Sequence, residues 1–449
     1  MFELSNHQMA FYTVDKAGVG QAVLLCGSVI IPRKIELEEL QRAANEVFRI
    51  NDGLRTRFVE KDDGKVYQEL LPFEERTFEV KRFESREALD AWGSVYATIP
   101  LKLDIRSEGG GIPKSAWKSG STPPALVKNV IKHNMGMFFT KLRYGMLGRG
   151  PACCELILAE LPEACGAIIK MHHVVSDAAT MLLVANQFIR IVNGETPRAY
   201  RYEDFLRSDE EYRQTKRFER DSAFFEKQYE KCPEPTWVWD MPITTLEAVR
   251  RTVTLDEALT GQIRAYAAAH ELSPYILFLT AMSVFMSRKM GRDTFYVGSV
   301  VVNRAGIRER NTAGMFVNAV PLLMELDGGE SFADALVRTR DANFSAFRHQ
   351  RGVKDNDTRK LLYDMWVSFQ DAALEADATT ECTQYYCNYV SGMKIFTVED
   401  RAQEGRFKIH FDHNVLVTEP EVDEMFRVVL GVLREGMADD SRPLRELGK

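Results

Sequence analysis

Several common signatures are missing from this chain, and each gap removes a class of function. It has no glycine-rich phosphate loop, so a dinucleotide or nucleoside-triphosphate fold has nothing to rest on. Its seven cysteines are an odd number and none form a CxxC pair, which disfavours a disulfide framework or a zinc finger; reduced, buried thiols are expected. Adjacent Cys153 and Cys154 read as strand residues. The most apolar stretch, Tyr275 to Met286, is well short of the roughly 20 residues that cross a bilayer. The opening MFELSNHQMAFY has an acidic third residue and no basic-then-apolar layout of a signal peptide, which predicts a cytoplasmic protein. Excess positive charge is missing as well: the net charge is -7, which argues against a nucleic-acid binder.

What is present is a globular composition, 45% apolar and 27% charged over 449 residues, long enough for two domains of roughly 200 residues each. A polar stretch at 193–212, with Gly194 and Pro197, reads as the crossover, predicting domains at 1–195 and 196–449. Both halves mix strands with helices in no strict βαβ rhythm, which predicts an α/β fold. In the first half Ala22 to Ile31 reads as a strand stopped by Pro32, and a helix follows with Leu37, Leu40, Ala44, Val47 and Phe48 on one face. In the second, Ser273 and Pro274 open an apolar helix, Thr294 to Val301 and Phe316 to Leu326 read as strands, and Thr418 caps a last helix.

Residues 106–152 differ in kind. GGG, SGS and PP punctuate them, and they carry eight basic residues against one acid, Glu108. Val127, Ile131, Met135, Phe138 and Leu142 recur at helical spacing, which predicts a basic amphipathic helix. A solvated insertion packed on the body, a docking face for an acidic partner, and contact with an anionic membrane are the three readings of it.

The densest chemistry lies at 167–192, AIIKMHHVVSDAATMLLVANQFIRIV. Cys154 to Leu161 and Ala167 to Met171 read as a hairpin that delivers His172, His173 and Asp177 to the start of a helix ending near Val192. Adjacent histidines in extended chain point to opposite sides, which disfavours a shared metal. A buried structural pair and a general base held by a loop that Asp177 orders remain as readings.

HHVVSDA resembles the HHxxxDG motif of the condensation domains of nonribosomal peptide synthetases, in the superfamily of chloramphenicol acetyltransferase. LSNHQMAFY near the start, LRTRF at 54–58 and VGSVVVNRAGIRERNTAGMFVNAVPL at 297–322 resemble further elements of that family, in family order. FRHQRG at 347–352 and LLYDMWVSFQ at 361–370 match more loosely. The resemblance implies two chloramphenicol acetyltransferase-like subdomains in a V-shaped pseudo-dimer, with the active site in a channel between them. It implies His173 as the catalytic histidine and His172 as the structural one. Asp177 would pair with Arg304, and Asn303, Gly314 and Asn318 would line the channel.

The implied activity is transfer of an acyl or aminoacyl group from a carrier-protein thioester to an amine. Ester formation on a hydroxyl and a non-catalytic, carrier-recruiting role are the alternatives. Substrates would arrive on phosphopantetheine or coenzyme A, with no permanently bound cofactor or metal. Carrier proteins would act in trans on a monomer, with no nucleic acid and no transmembrane segment. Two departures stand out. Ala178 replaces the motif glycine, so either strain at a left-handed backbone or a narrowed channel is expected. The basic insertion has no family counterpart, and its Lys128, Lys132, Lys141 and Arg143 offer a dock for an acidic carrier.

Overall fold

Two strands, 154–160 and 165–172, the second buried along its whole length with Lys170 inside it, make an antiparallel hairpin, and the rest of its sheet is built outward from it. The computed structural model describes residues 1–63, 65–108, 129, 137, 140–141, 150–353, 363–371, 380–390, 394–400 and 405–449. In chain order its strands are β1 Phe2–Glu3, β2 Leu24–Ile31, β3 Thr56–Lys61, β4 Val66–Leu70, β5 Val80–Arg82, β6 Ile105–Glu108, β7 Cys154–Glu160 and β8 Cys165–His172. They continue as β9 Ala248–Thr254, β10 Thr294–Val301, β11 Asn318–Glu325, β12 Met365–Gln370, β13 Glu381–Tyr385, β14 Lys394–Asp400 and β15 Phe407–Asn414. Most of 106–152, including Lys128, Lys132 and Arg143, lies outside the described residues, as do Leu361 and Leu362.

The chain forms two compact units, and they are not two consecutive stretches. One comprises Met1–Tyr212, Val302–Val317 and Ala373–Ser391; the other Arg213–Val301, Asn318–Ala372 and Gly392–Lys449. The single boundary at 195/196 expected from sequence order has no place for the two later segments. Strand pairing shows why. β10 and β11 pair antiparallel with Val301 opposite Asn318, so 302–317 is the loop of a hairpin whose strands belong to the second unit.

The first unit holds a five-stranded sheet, β13-β2-β8-β7-β5, and a four-stranded one, β1-β4-β3-β6. β8 is the centre of the larger sheet, paired antiparallel to both β2 and β7, and all eight of its residues are buried. Ala167, Ile169 and Met171 face the helices Leu37–Ile50 and Ala178–Val192 in one core cluster with Leu40, Val47, Phe188 and Ile189. Ile168 faces the other side, with Leu89 and Tyr96 of the helix Arg86–Ala97 and Tyr385 of β13.

The second unit has one six-stranded mixed sheet, β11-β10-β12-β14-β15-β9. Phe295, Val297, Val367, Phe396, Val398, Ile409 and Phe411 come from alternate positions on its strands and bury one face against helices Pro274–Met290 and Glu419–Ala438. The first of these helices is apolar on nearly every side, as its sequence requires, with eleven consecutive residues buried.

Candidate functional site

The histidine pair sits where β8 ends. His172 closes the strand opposite Leu24 of β2 and is fully buried. Its Nδ1 accepts the Val174 N–H at 3.1 Å, which puts the ring proton on Nε2, 3.4 Å from Asp15 Oδ1. His172 is therefore committed on both nitrogens. His173 continues the ladder, donating its backbone N–H to the Val23 carbonyl at 2.8 Å, while its ring is half-buried and stacked on Phe11 at 4.2 Å. Its buried Nδ1 has no hydrogen-bond partner among the described residues. Burial pushes the His173 pKa below the usual imidazole value, with the Asp177 carboxylate as the largest opposing influence.

The loop after the pair is pinned from two directions. At the N-terminus, LSNHQ forms a capping box in which Ser5 and Gln8 satisfy each other's backbone N–H groups. The Gln8 carboxamide then donates to the Val174 carbonyl at 2.9 Å. From the other direction comes Asp177, the N-cap of the helix Ala178–Val192. Its Oδ1 accepts the Thr180 N–H at 2.7 Å and an Arg304 Nη2–H at 3.0 Å. Its Oδ2 accepts the N–H groups of Phe316 and Val317 at 3.0 and 3.2 Å. A carboxylate occupied by so many donors is structural, and no hydrogen bond joins it to His173 among the described residues.

Arg304 is 3% exposed along its side chain. Its guanidinium lies 4.0 Å from the Phe316 ring centroid. Nη1 donates to the carbonyls of Glu309 and Thr312, and Nη2 also reaches the Thr180 hydroxyl at 2.8 Å. One side chain thus folds the loop 302–317 onto itself and fastens it to the helix cap. Sequence reasoning missed Thr180, whose hydroxyl donates to the Gly314 carbonyl at 2.6 Å and accepts the Gly314 N–H at 3.1 Å. The only signal available was its place three residues after an N-cap aspartate. Tyr202 was missed too: its hydroxyl donates to the Met315 carbonyl at 2.9 Å.

The remaining candidates fall in different places. Gly314 is buried, and a Cβ there would run into the Tyr202 ring, so close packing accounts for this glycine. Asn303 is half-buried with φ +53, a left-handed backbone that asparagine tolerates. Asn318, in the second unit, donates from Nδ2 to the Gln350 carbonyl at 2.7 Å, and its Oδ1 is buried without a partner among the described residues. Ala178 is exposed, begins the helix and is not among the positive-φ residues, so the expected backbone strain is absent. Lys141 is half-buried, and burial lowers its pKa, an unpromising setting for a docking charge. No group of three or more His, Cys, Asp or Glu is placed to hold a metal among the described residues, and no described helix is long and apolar enough to cross a membrane.

Comparison with known proteins gives the geometry a context. A family model described as Condensation domain matches residues 163–447. Surfactin synthase subunit 1 of Bacillus subtilis (strain 168) is 25% identical over 299 residues, 62% of this chain and 8% of that protein. A plipastatin synthase of the same organism is 23% identical over 440 residues, 92% of this chain and 15% of the relative. The chain thus spans a small fraction of these relatives' length. Among solved structures, the first condensation domain of the calcium-dependent antibiotic synthetase, in complex with a substrate analogue, superposes with a TM-score of 0.75 at 17% identity, covering 99% of this chain and 98% of that one. A mutant starter condensation domain of rhizomide synthetase, in complex with C8-CoA and Leu-SNAC, gives 0.76 at 18% identity, covering 99% and 97%. At these identities the structural likeness shows a shared fold.

Proposed function

The chain belongs to the condensation domain family, and from that premise we propose that it transfers an acyl or aminoacyl group from a thioester to an amine, forming an amide. The observation that carries the reading is His173: a half-buried imidazole, kept neutral by burial, on a loop fastened by Gln8, Asp177 and Arg304. The amine nitrogen attacks the thioester carbonyl, and the zwitterionic intermediate must lose a proton from nitrogen before the carbon–sulfur bond breaks and the thiol departs. A neutral imidazole takes or holds that proton. The Thr180 N–H is already occupied by the cap, so the intermediate's oxyanion would fall to the N–H groups of Ala178 or Ala179 at the helix start.

Base catalysis is worth about 100- to 10,000-fold, whereas holding two reactants in line supplies about 7 to 11 kcal/mol. Positioning therefore dominates, and the buried, multiply hydrogen-bonded Asp177–Arg304 pair serves it as a fixed frame. The donor thioester would be presented on phosphopantetheine by a carrier protein acting in trans on a monomer, with coenzyme A as a second carrier of the same chemistry; the C8-CoA complex of the rhizomide relative supports that route. Residues Lys128 and Lys132 of the basic insertion would meet the acidic carrier.

Intact-protein mass spectrometry tests the assignment. An acyl-loaded carrier is incubated with this protein and a panel of amine, alcohol and carrier-bound acceptors. Loss of the acyl group to an amine is expected, slowed about 100-fold or more by His173→Ala. An unchanged rate in that variant would remove the base assignment, and transfer to alcohols alone would replace the amide with an ester.

A further inference from the structure

The helix Asn6–Val14 grips the histidine corner at two successive residues. Gln8 and Phe11 are three positions apart, so both side chains leave the same face of that helix. The Gln8 carboxamide donates to the Val174 carbonyl at 2.9 Å, and the Phe11 ring lies on the His173 ring with centroids 4.2 Å apart and planes 15° from parallel. Gln8 is itself held by Ser5 in the capping box and by reciprocal bonds with the Gln68 carboxamide at 3.0 and 2.9 Å. The helix that carries the Phe11 ring is thus anchored to the same loop that carries the imidazole.

An imidazole that acts as a base needs a fixed plane as well as a free nitrogen, because the torsion that turns a histidine ring is broad. The ordinary device is a hydrogen bond from the other ring nitrogen to a carboxylate or a backbone carbonyl. His173 does without it: among the described residues its Nδ1 is buried and has no partner, and the Asp177 carboxylate is taken up by Thr180, Arg304, Phe316 and Val317. Backbone pairing with Val23 fixes where the side chain starts and leaves the ring plane open. Core packing alone does not account for Phe11. Its neighbour Tyr12, 4% exposed, is the residue that the helix sinks into the cluster of Phe58, Val66 and Val174, while Phe11 stays half-buried at the margin of that cluster.

We infer that Phe11 is a positioning residue: its face holds the plane of the His173 imidazole, and with it the direction in which Nε2 meets the amine proton, in place of a hydrogen bond on Nδ1. The inference rests on the acyl-transfer reading and adds to it the residue that aims the base. What the stack requires is a flat ring. Leucine fills much of the same space and has no face to offer, whereas tyrosine keeps the ring.

Two measurements on the full chain test it, with Phe11→Leu and Phe11→Tyr beside the wild type. The first is magnetic resonance of ring-labelled histidine and needs no substrate. The chain has eight histidines, and the His173 signals are those that vanish in His173→Ala. A ring stacked on the imidazole displaces the resonance of its Cδ2 or Cε1 proton. Phe11→Leu is expected to return that proton toward its position in free histidine, and Phe11→Tyr to leave it displaced; the same positions in all three proteins would overturn the inference. The second measurement is steady-state kinetics with the donor and amine that the mass spectrometry identifies. Phe11→Leu is expected to lower kcat about 2- to 10-fold, the worth of an aromatic pair read as a rate, with KM and melting temperature unchanged. Tyrosine should keep most of the rate, and Phe11→Leu should cost nothing further once His173 is alanine. An unchanged kcat in Phe11→Leu, a tyrosine variant as slow as the leucine one, or an equal loss in the His173→Ala background would overturn the inference. Phe11→Met serves as a second flexible variant, judged by the same outcomes, should the leucine protein melt lower. The two ideas fail separately: no transfer by a wild type whose His173 proton is displaced by Phe11 defeats the acyl-transfer reading alone, and transfer that needs His173 and ignores Phe11 defeats this one alone.

Discussion

His172 and His173 are neighbours of the same type placed in opposite chemical situations. The ladder from β8 runs through both, so their rings leave the backbone on different sides. One is spent on Asp15 and Val174; the other stacks on Phe11 and keeps a nitrogen unpaired. The pH dependence follows from the direction of the His173 shift. Burial lowers its pKa, so the free base is populated at pH 7 and persists on acidification past the ordinary value of about 6.5. A profile of kcat/KM against pH should therefore be flat through neutrality, with its acid limb centred below 6.5; a limb centred at or above that value would contradict the assignment. At the same scale, Ala178 shows how a motif departure is disarmed. As the first residue of a helix it has an ordinary right-handed backbone, and it needs no glycine.

Among the elements, the one that decides the corner is the helix Ala178–Val192, and it was legible. An aspartate at the N-cap and apolar residues at helical spacing announced both its start and its buried face, and Phe188 and Ile189 lie in the core as that spacing requires. The hairpin β7–β8 was legible for a similar reason. β13, the edge strand beside β2, was not: in Glu381–Tyr385 only Tyr385 is buried, so no alternation betrays it, and its place depends on a partner more than 350 positions earlier, as the Tyr385–Ser28 contact shows. Likewise the Asp177–Arg304 pair came from family likeness alone, because nothing local tells an arginine which carboxylate it will meet. The pair is buried and heavily hydrogen-bonded, so removing one member leaves the other buried without its counter-charge. Arg304→Ala is expected to lower unfolding free energy by about 3 to 5 kcal/mol in urea titrations, and the double variant with Asp177→Ala should recover part of that. A double variant no more stable than Arg304→Ala would mean that the loop contacts of Arg304, rather than the stranded carboxylate, set the cost.

At the scale of the whole molecule, the mixture of strand and helix patterns foretold an α/β fold, and the mixed sheets agree with it; the chain is divided into two compact units. What sequence order could not give is that the units interleave. Charge is distributed as unevenly as topology: the net is -7, yet 106–152 is strongly basic. If that stretch docks an acidic carrier, reversing Lys128 and Lys132 to glutamate should weaken carrier binding several-fold at low salt and little at high salt, where screening over about 10 Å or less removes the difference. Undiminished binding of the reversed protein at low salt would rule the dock out. Lys141 is a poorer probe, since its half-buried setting would confound folding with docking.

The loop that carries Arg304 returns to the first unit after most of the second unit's opening stretch has been made, and this sets a timetable for the protein's birth. Asp177 and Arg304 are 127 positions apart, which at ribosomal speed is a delay on the order of ten seconds. For that interval the nascent chain holds its histidine corner with the aspartate's principal counter-charge still unmade, and even then β13 has yet to arrive. The reactive corner can set only after residue 304 has been made, so a chain released before that point would carry both histidines and Asp177 and still lack the arginine that holds them.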